Sequence, residues 1–79
     1  MTSRNKVVEI IANELEVEQI NVLDNCTLDA LGVSSPDRLE IALILEKEFK
    51  IEVGDKELWR FQTVGDVIAY VNDRSASTP

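Results

Sequence analysis

The sequence predicts an all-α fold, a four-helix bundle with a long loop between helices 1 and 2 and a short third helix. Apolar residues recur three and four positions apart in several segments, which is the spacing of one helix face. Two segments open with serine or threonine followed three positions later by aspartate, as at a capped helix start. The strand-like alternation Ile51-Glu52-Val53 is too short to form a sheet.

The chain before residue 32 is predicted to be one helix followed by a long loop. The helix runs from about Ser3 to Glu14, with Thr2 or Ser3 as its cap, and its apolar residues are Val7, Val8, Ile10, Ile11 and Leu15. Residues 16–31 show no regular spacing, and a loop of this length often carries function. We expect it to be pinned to the core by its apolar residues Val17, Ile20, Val22, Leu23, Leu28 and Leu31.

The second helix has the clearest start signal. It begins at Ser34-Ser35-Pro36-Asp37 and is predicted to run to about Lys50. Either serine can cap it, proline is tolerated in a first turn, and aspartate favours the positive helix end. At 100° per residue, one stripe of this helix should face the core, namely Ile41, Leu45 and Phe49, flanked by Ala42 and Ile44.

A second apolar strip lies on roughly the opposite side of this helix and consists of Leu39 and Leu43, with Pro36 near them. The strip has two interpretations. Either it packs under the long loop or another helix, or it is a docking strip for partner proteins with acidic surroundings. The surrounding acids Asp37, Glu40, Glu46 and Glu48 are partly offset by Arg38, Lys47 and Lys50.

The remaining chain predicts two more helices. A short helix lies near Asp55–Arg60, and the last helix begins at Thr63, where Asp66 completes a capping box. Trp59 and Phe61 are expected to cover the core. The last helix has an apolar face of Val64, Val67, Ile68 and Val71. We expect one domain over residues 1–72 and a flexible tail over residues 73–79.

Composition narrows the function. The 79 residues include no histidine and one cysteine, Cys26, which removes the commonest acid–base group and excludes an internal disulfide or a cysteine-based zinc site. The formal net charge of −7 disfavours nucleic acid and favours partners with basic patches. These features predict a monomeric cytoplasmic protein without membrane insertion, metal site or catalytic activity of its own.

Residues 31–41, Leu-Gly-Val-Ser-Ser-Pro-Asp-Arg-Leu-Glu-Ile, resemble the Leu-Gly-x-Asp-Ser-Leu-x-x-x-Glu segment of acyl carrier proteins. The resemblance implies that a phosphopantetheinyl transferase esterifies Ser35 with 4′-phosphopantetheine, whose thiol then carries acyl chains as thioesters. It also implies acyl-loading, synthase or acyltransferase partners with basic docking patches, in fatty-acid, polyketide or specialised lipid synthesis. The partner-binding residues expected on this basis are Pro36, Asp37, Leu39, Glu40, Leu43 and Glu46.

The site has a physical rationale and two departures from the family pattern. Free N–H groups and the helix dipole favour a phosphodiester on Ser35, and Gly32 permits a tight turn before it. However, Ser34 replaces the family's aspartate and Pro36 replaces its leucine. In that family the aspartate assists recognition by the transferase, so the resemblance implies the loss of a charge-assisted contact, worth on the order of 1.5–3 kcal/mol.

Three functional alternatives therefore stay open. The chain is an acyl carrier, an aminoacyl or peptidyl carrier that uses the same arm, or an unmodified interaction module in which Ser35 is only a helix cap. In the first case, apolar residues between the helices could part to shelter an acyl chain, in a cavity whose size the sequence does not specify.

Overall fold

The computed structural model describes residues 3–76 and has four α-helices in the predicted order. They are α1 (Ser3–Leu15), α2 (Ser35–Phe49), α3 (Asp55–Arg60) and α4 (Val64–Ala76), with one 3-10 helix (Gln19–Asn21) between α1 and α2. Over this described range the β-type pairing is limited to an isolated bridge between Thr27 and Thr63, and the all-α prediction is confirmed. No helix in the same range is both long enough and apolar enough to cross a membrane.

The core lies between the three long helices, and α1 contacts both α2 and α4. α1 buries Val7, Val8, Ile10, Ile11 and Ala12. The predicted inward stripe of α2 is confirmed, because Ile41, Ala42 and Leu45 are buried and Ile44 and Phe49 are partly buried against them. The predicted apolar face of α4 is buried as well, at Val64, Val67, Ile68 and Val71.

The start of α1 is linked to α2 by charge. Ser3 is the first residue of the helix, and the other predicted cap, Thr2, lies outside the described residues. The Lys6 Nζ lies 3.3 Å from a Glu9 carboxylate oxygen and 3.6 Å from one of Glu48. The hydrogen bond to Glu9, followed by the charge of Glu48, raises the pKa of Lys6 above its usual value. Glu48 therefore faces α1 and not the apolar strip.

The long loop is held by part of its apolar residues and by its backbone, so the expectation that its apolar side chains pin it to the core is confirmed only for Val22, Leu28 and the partly buried Leu31. Val22 and Leu28 are buried, but Ile20 is 78% exposed and Leu23 is 52% exposed. Three hydrogen bonds tie the loop to the junction between α3 and α4, namely Leu28 N–H to Gln62 O at 2.8 Å, Val64 N–H to Cys26 O at 3.0 Å and Gly65 N–H to Asp24 O at 2.8 Å. A side chain at Gly65 would place its Cβ 3.1 Å from that same Asp24 oxygen, so glycine allows the close approach.

The predicted capping box starts α4. The Asp66 N–H donates to Thr63 Oγ1 at 3.1 Å, and the Asp66 carboxylate accepts from the N–H groups of Thr63 at 3.1 Å and Gln62 at 2.9 Å. Those two backbone donors lower the pKa of Asp66. The helix continues to Ala76, so residues 73–76 extend it beyond the predicted boundary at 72. Residues 77–79 lie outside the described range, and the flexible tail stays a prediction.

Candidate functional site

The candidate attachment residue, Ser35, is the first residue of α2 and its side chain is exposed. The chain reaches it through a turn in which Gly32 adopts a φ of +84°, a left-handed conformation that favours glycine. The Gly32 N–H donates to Asp29 O at 3.0 Å, and the Val33 N–H donates to Leu28 O at 3.0 Å. Because Val33 is buried directly after this turn, the start of α2 is anchored while Ser35 faces solvent.

Ser34, and not Ser35, caps α2. The Ser34 Oγ accepts from the Asp37 N–H at 3.3 Å, and the Asp37 carboxylate accepts from the Ser34 N–H at 3.1 Å, which completes a capping box. Of the two serines predicted as possible caps, Ser34 is therefore the cap and Ser35 is not, while the unmodified interaction module stays an alternative. Among the residues that the structure describes, the Ser35 hydroxyl has no hydrogen-bond partner, so it is open to modification.

Fewer backbone donors are available here than the sequence argument assumed. Pro36 has no N–H, the Asp37 N–H is bonded to Ser34 Oγ, and the Arg38 N–H is bonded to Ser34 O. Of the amides in this first turn, the Ser35 N–H alone lacks an acceptor within residues 3–76. A phosphodiester on Ser35 would thus meet one free amide and the positive end of the helix dipole. These features suit a negatively charged group but offer it a single backbone hydrogen bond.

The strip on the far side of α2 is solvent-exposed, and the interpretation that it packs under the loop or another helix is wrong. Leu39 is 47% exposed and Leu43 is 59% exposed, and Pro36 and Glu40 are exposed as well. A shallow groove of about 510 Å³ runs beside Leu43 and is lined by Glu40, Leu43, Ile44, Glu46 and Lys47.

Two of the predicted partner-binding residues also have structural contacts. Asp37 is part of the capping box, and a carboxylate oxygen of Glu46 accepts from the Val53 N–H at 2.9 Å, which ties the segment after α2 to that helix. Pro36, Leu39, Leu43 and Glu40 carry no such contact in the described part of the chain. The strip is thus an apolar surface bordered by carboxylates, some of which are fixed in place.

Arg38 has a role that the sequence argument missed. The sequence predicts only a surface charge that offsets nearby acids, whereas the Arg38 Nη1 donates to the carbonyl oxygens of Leu58 and Phe61, both at 2.8 Å. Its guanidinium carbon lies 5.6 Å from the centre of the Trp59 ring. These partners are 20 to 23 residues away in the chain, and neither periodicity nor a local motif reports such contacts.

Phe61 is buried as expected, whereas Trp59 is 52% exposed and does not cover the core. The interior beneath these residues holds a small cavity. Within residues 3–76 this cavity has a volume of about 10 Å³, lies between the helices and has an almost wholly apolar lining. This space is about enough for one water molecule, so an acyl chain would need the helices to move apart.

An open serine hydroxyl on a closed helical bundle suits a protein that bears a covalently attached group. Residues 5–71 match the family described as the phosphopantetheine attachment site. An acyl carrier protein of Clostridium perfringens is 35% identical over 72 residues, which are 90% of this chain and 95% of that protein.

Two solved structures are similar as well. The crystal structure of an acyl carrier protein from Thermotoga maritima has a TM-score of 0.83 at 25% identity, over 98% of this chain and 95% of that one. An acyl carrier protein from Enterococcus faecalis has a TM-score of 0.79 at 32% identity, over 94% of this chain and 99% of that one. The chain therefore belongs to the acyl carrier protein family, whose covalently attached cofactor is 4′-phosphopantetheine.

Proposed function

We propose that this protein carries acyl groups on a phosphopantetheine arm attached at Ser35 and presents them to enzymes of fatty-acid, polyketide or specialised lipid synthesis. The observation that carries the proposal is the exposed, unpartnered Ser35 hydroxyl at the first position of α2. The arm, when attached, supplies a thiol that holds acyl groups as thioesters. Bond making and breaking belong to the partner enzymes.

The hydrogen bonds around Ser35 leave its hydroxyl available for modification. Ser34 and Asp37 satisfy each other in the capping box, so neither competes for the Ser35 oxygen. The free Ser35 N–H and the helix dipole favour the negative charge of a phosphodiester. The carboxylate that the family places before the serine is absent, and we expect either slow modification by a general transferase or a specialised transferase.

Partner enzymes would dock on the strip of Pro36, Leu39 and Leu43, with Glu40 beside it and the fixed carboxylates of Asp37 and Glu46 at its border. An apolar centre with a charged rim is the composition of a protein interface. The net charge of −7 would steer enzymes with basic patches, the phosphopantetheinyl transferase included, towards this acidic protein. A monomeric state and a cytoplasmic location remain predictions from the sequence.

Intact-mass measurement tests the attachment site. The apo protein is incubated with coenzyme A and a phosphopantetheinyl transferase, and we expect the mass of one arm to be added. Ser35→Ala should abolish the addition. The matched control Ser34→Ala keeps the Ser35 hydroxyl and should still be modified, although loss of the Ser34 cap should lower the free energy of unfolding by about 1 kcal/mol. Ser34→Asp restores the carboxylate and should speed the reaction. Addition to Ser35→Ala, or none to the wild type with several transferases, contradicts the proposal.

Loading assays then test the cargo class. The modified protein is offered acyl and aminoacyl donors together with their loading enzymes, and thioester formation is followed by mass. We expect acyl loading; exclusive aminoacyl loading would instead identify a carrier of amino acids or peptides. If the protein purified from its native host carries no arm and Ser35→Ala keeps full activity in cells, it is an unmodified interaction module.

A further inference from the structure

α3 is the least anchored helix of the bundle. It spans six residues, Asp55–Arg60, and in the described part of the chain it packs against α2 and no other helix. Leu58 is its one buried residue, and Phe61 follows directly as a second buried anchor. So short a helix gains little from its own hydrogen bonds, and its position depends on what holds its two ends.

Arg38 holds the C-terminal end of α3. Both carbonyl oxygens that it binds, those of Leu58 and Phe61, lie at this end, where helix carbonyls lack intrahelical partners and attract a cation. The contact with the Trp59 ring adds a cation–π attraction on the same side. One half-buried guanidinium therefore fastens α3 to α2 at three points.

The same side chain borders the small internal cavity. Arg38 is the charged residue among the cavity's lining, which otherwise consists of apolar residues of all four helices and the loop, such as Ile41, Leu58 and Phe61. Ser35 and Arg38 are three positions apart on α2, so they are neighbours on the helix surface. Of the cavity's lining residues on α2, Arg38 is the nearest to Ser35 along the helix, so a group tethered to Ser35 that turned towards the cavity on this side would meet the Arg38 side chain.

We propose that Arg38 is a specificity-determining residue, whose clamp on α3 keeps the interior closed and restricts the carrier to short or polar acyl groups held outside the core. This inference rests on the proposed attachment at Ser35. A long apolar chain would be sheltered only if α3 moved away from α2, which breaks two charge-assisted hydrogen bonds. Without the clamp, burial of the chain's methylene groups would favour the opened state.

The clamp itself is tested on the protein without its arm. Arg38→Met keeps the length of the side chain and removes the guanidinium; the control Arg60→Met removes the same charge from the exposed end of α3. Amide hydrogen exchange is followed at Leu58, whose N–H donates to Gly54 O at 2.9 Å. We expect exchange about tenfold faster or more in Arg38→Met and no change in Arg60→Met. An unchanged rate in Arg38→Met overturns the proposal.

The restriction on cargo is tested with the loaded protein. Acetyl- and octanoyl-phosphopantetheine are attached at Ser35, and thermal unfolding is compared. In the wild type we expect the same midpoint for both forms; in Arg38→Met the octanoyl form should melt at least about 4 °C higher than the acetyl form. Equal stabilisation by octanoyl in the wild type and in Arg38→Met overturns the proposal.

The two proposals fail in different ways. If no arm attaches at Ser35, the carrier function fails, while the exchange measurement still reports on the clamp.

If Arg38→Met does not fold, Arg38→Lys replaces it, because lysine keeps the charge but lacks the planar guanidinium. We then expect a smaller acceleration of exchange at Leu58 in the same direction, and an unchanged rate again overturns the proposal. The fluorescence of Trp59, the single tryptophan, gives a second signal for movement of α3.

Discussion

Replacing Leu43 with arginine separates docking from folding on α2. Leu43 is 59% exposed, whereas Leu45, two positions further along the same helix, is 1% exposed. Leu43→Arg therefore places a positive charge on the strip where we propose that partners with basic patches dock. Leu45→Ala is the matched control, because it removes a leucine of the same helix from the core.

The structure sets the expected size of both effects. Full burial of a leucine side chain stabilises a fold by about 1.5–3 kcal/mol. Leu43 has about two fifths of its surface buried, so removing its side chain should lower the free energy of unfolding by roughly 0.6–1.2 kcal/mol. Part of this is recovered as the arginine stem packs on the surface. Leu45→Ala should cost about 2–5 kcal/mol, a large share of the roughly 4–12 kcal/mol expected for a domain of this length.

The assay pairs urea unfolding, followed by circular dichroism, with binding of the apo protein to its transferase. We expect Leu43→Arg to unfold at nearly the wild-type urea concentration and to bind at least about tenfold more weakly, since like charges now meet at the interface. Leu45→Ala should unfold early but bind normally under conditions where it remains folded. The reasoning is refuted if Leu43→Arg loses more than about 2 kcal/mol of stability or binds as tightly as the wild type.

Two further predictions concern stability. The pKa of Asp66 is lowered in the folded protein, so its carboxylate stabilises the fold fully at pH values above the ordinary pKa of 3.8 and loses this effect as the pH falls through the pKa of the folded state. In Asp66→Asn, the free energy of unfolding, measured with urea between pH 7 and pH 3, should therefore fall less steeply at acid pH than in the wild type. An unchanged pH profile would contradict this prediction. Gly32→Ala should cost about 1–2 kcal/mol, because the φ of +84° is strained for alanine, although no described residue beyond its two chain neighbours lies within 4 Å of the added carbon. A midpoint of thermal unfolding equal to that of the wild type would contradict this prediction.

Local signals in the sequence predicted most of the fold. The bounds of α3 agree with the prediction, and both capping boxes form as their spacing indicated. The two faces of α2 also followed from the 100° rotation per residue, but periodicity alone did not establish whether the strip of Leu39 and Leu43 was covered. That depends on where the loop lies, which is a matter of tertiary structure.

The features that the sequence did not reveal depend on contacts between separate segments, or on how many backbone N–H donors beside Ser35 are free. The reach of Arg38 to Leu58 and Phe61 joins α2 to the end of α3 through a flexible side chain, and the Glu46 carboxylate likewise reaches beyond its own helix, to the Val53 N–H seven positions further on. The exposure of Ile20 and Leu23 shows that apolar residues in a loop need not be its anchors. The shortage of free amides beside Ser35 depends on which acceptor each donor of the first turn binds, and only the structure identifies those acceptors.

The bonds from Val64 and Gly65 to the loop carbonyls bear on how the chain matures. The Gly65 N–H and the Asp24 carbonyl that it binds are far apart in the sequence, and a ribosome makes the acceptor long before the donor. During synthesis the loop carbonyls lack these N–H donors until α4 has emerged from the ribosome. The native shape therefore forms only after α4 has been synthesised, and a nascent chain that stalls before α4 would expose its unclosed loop to chaperones and proteases.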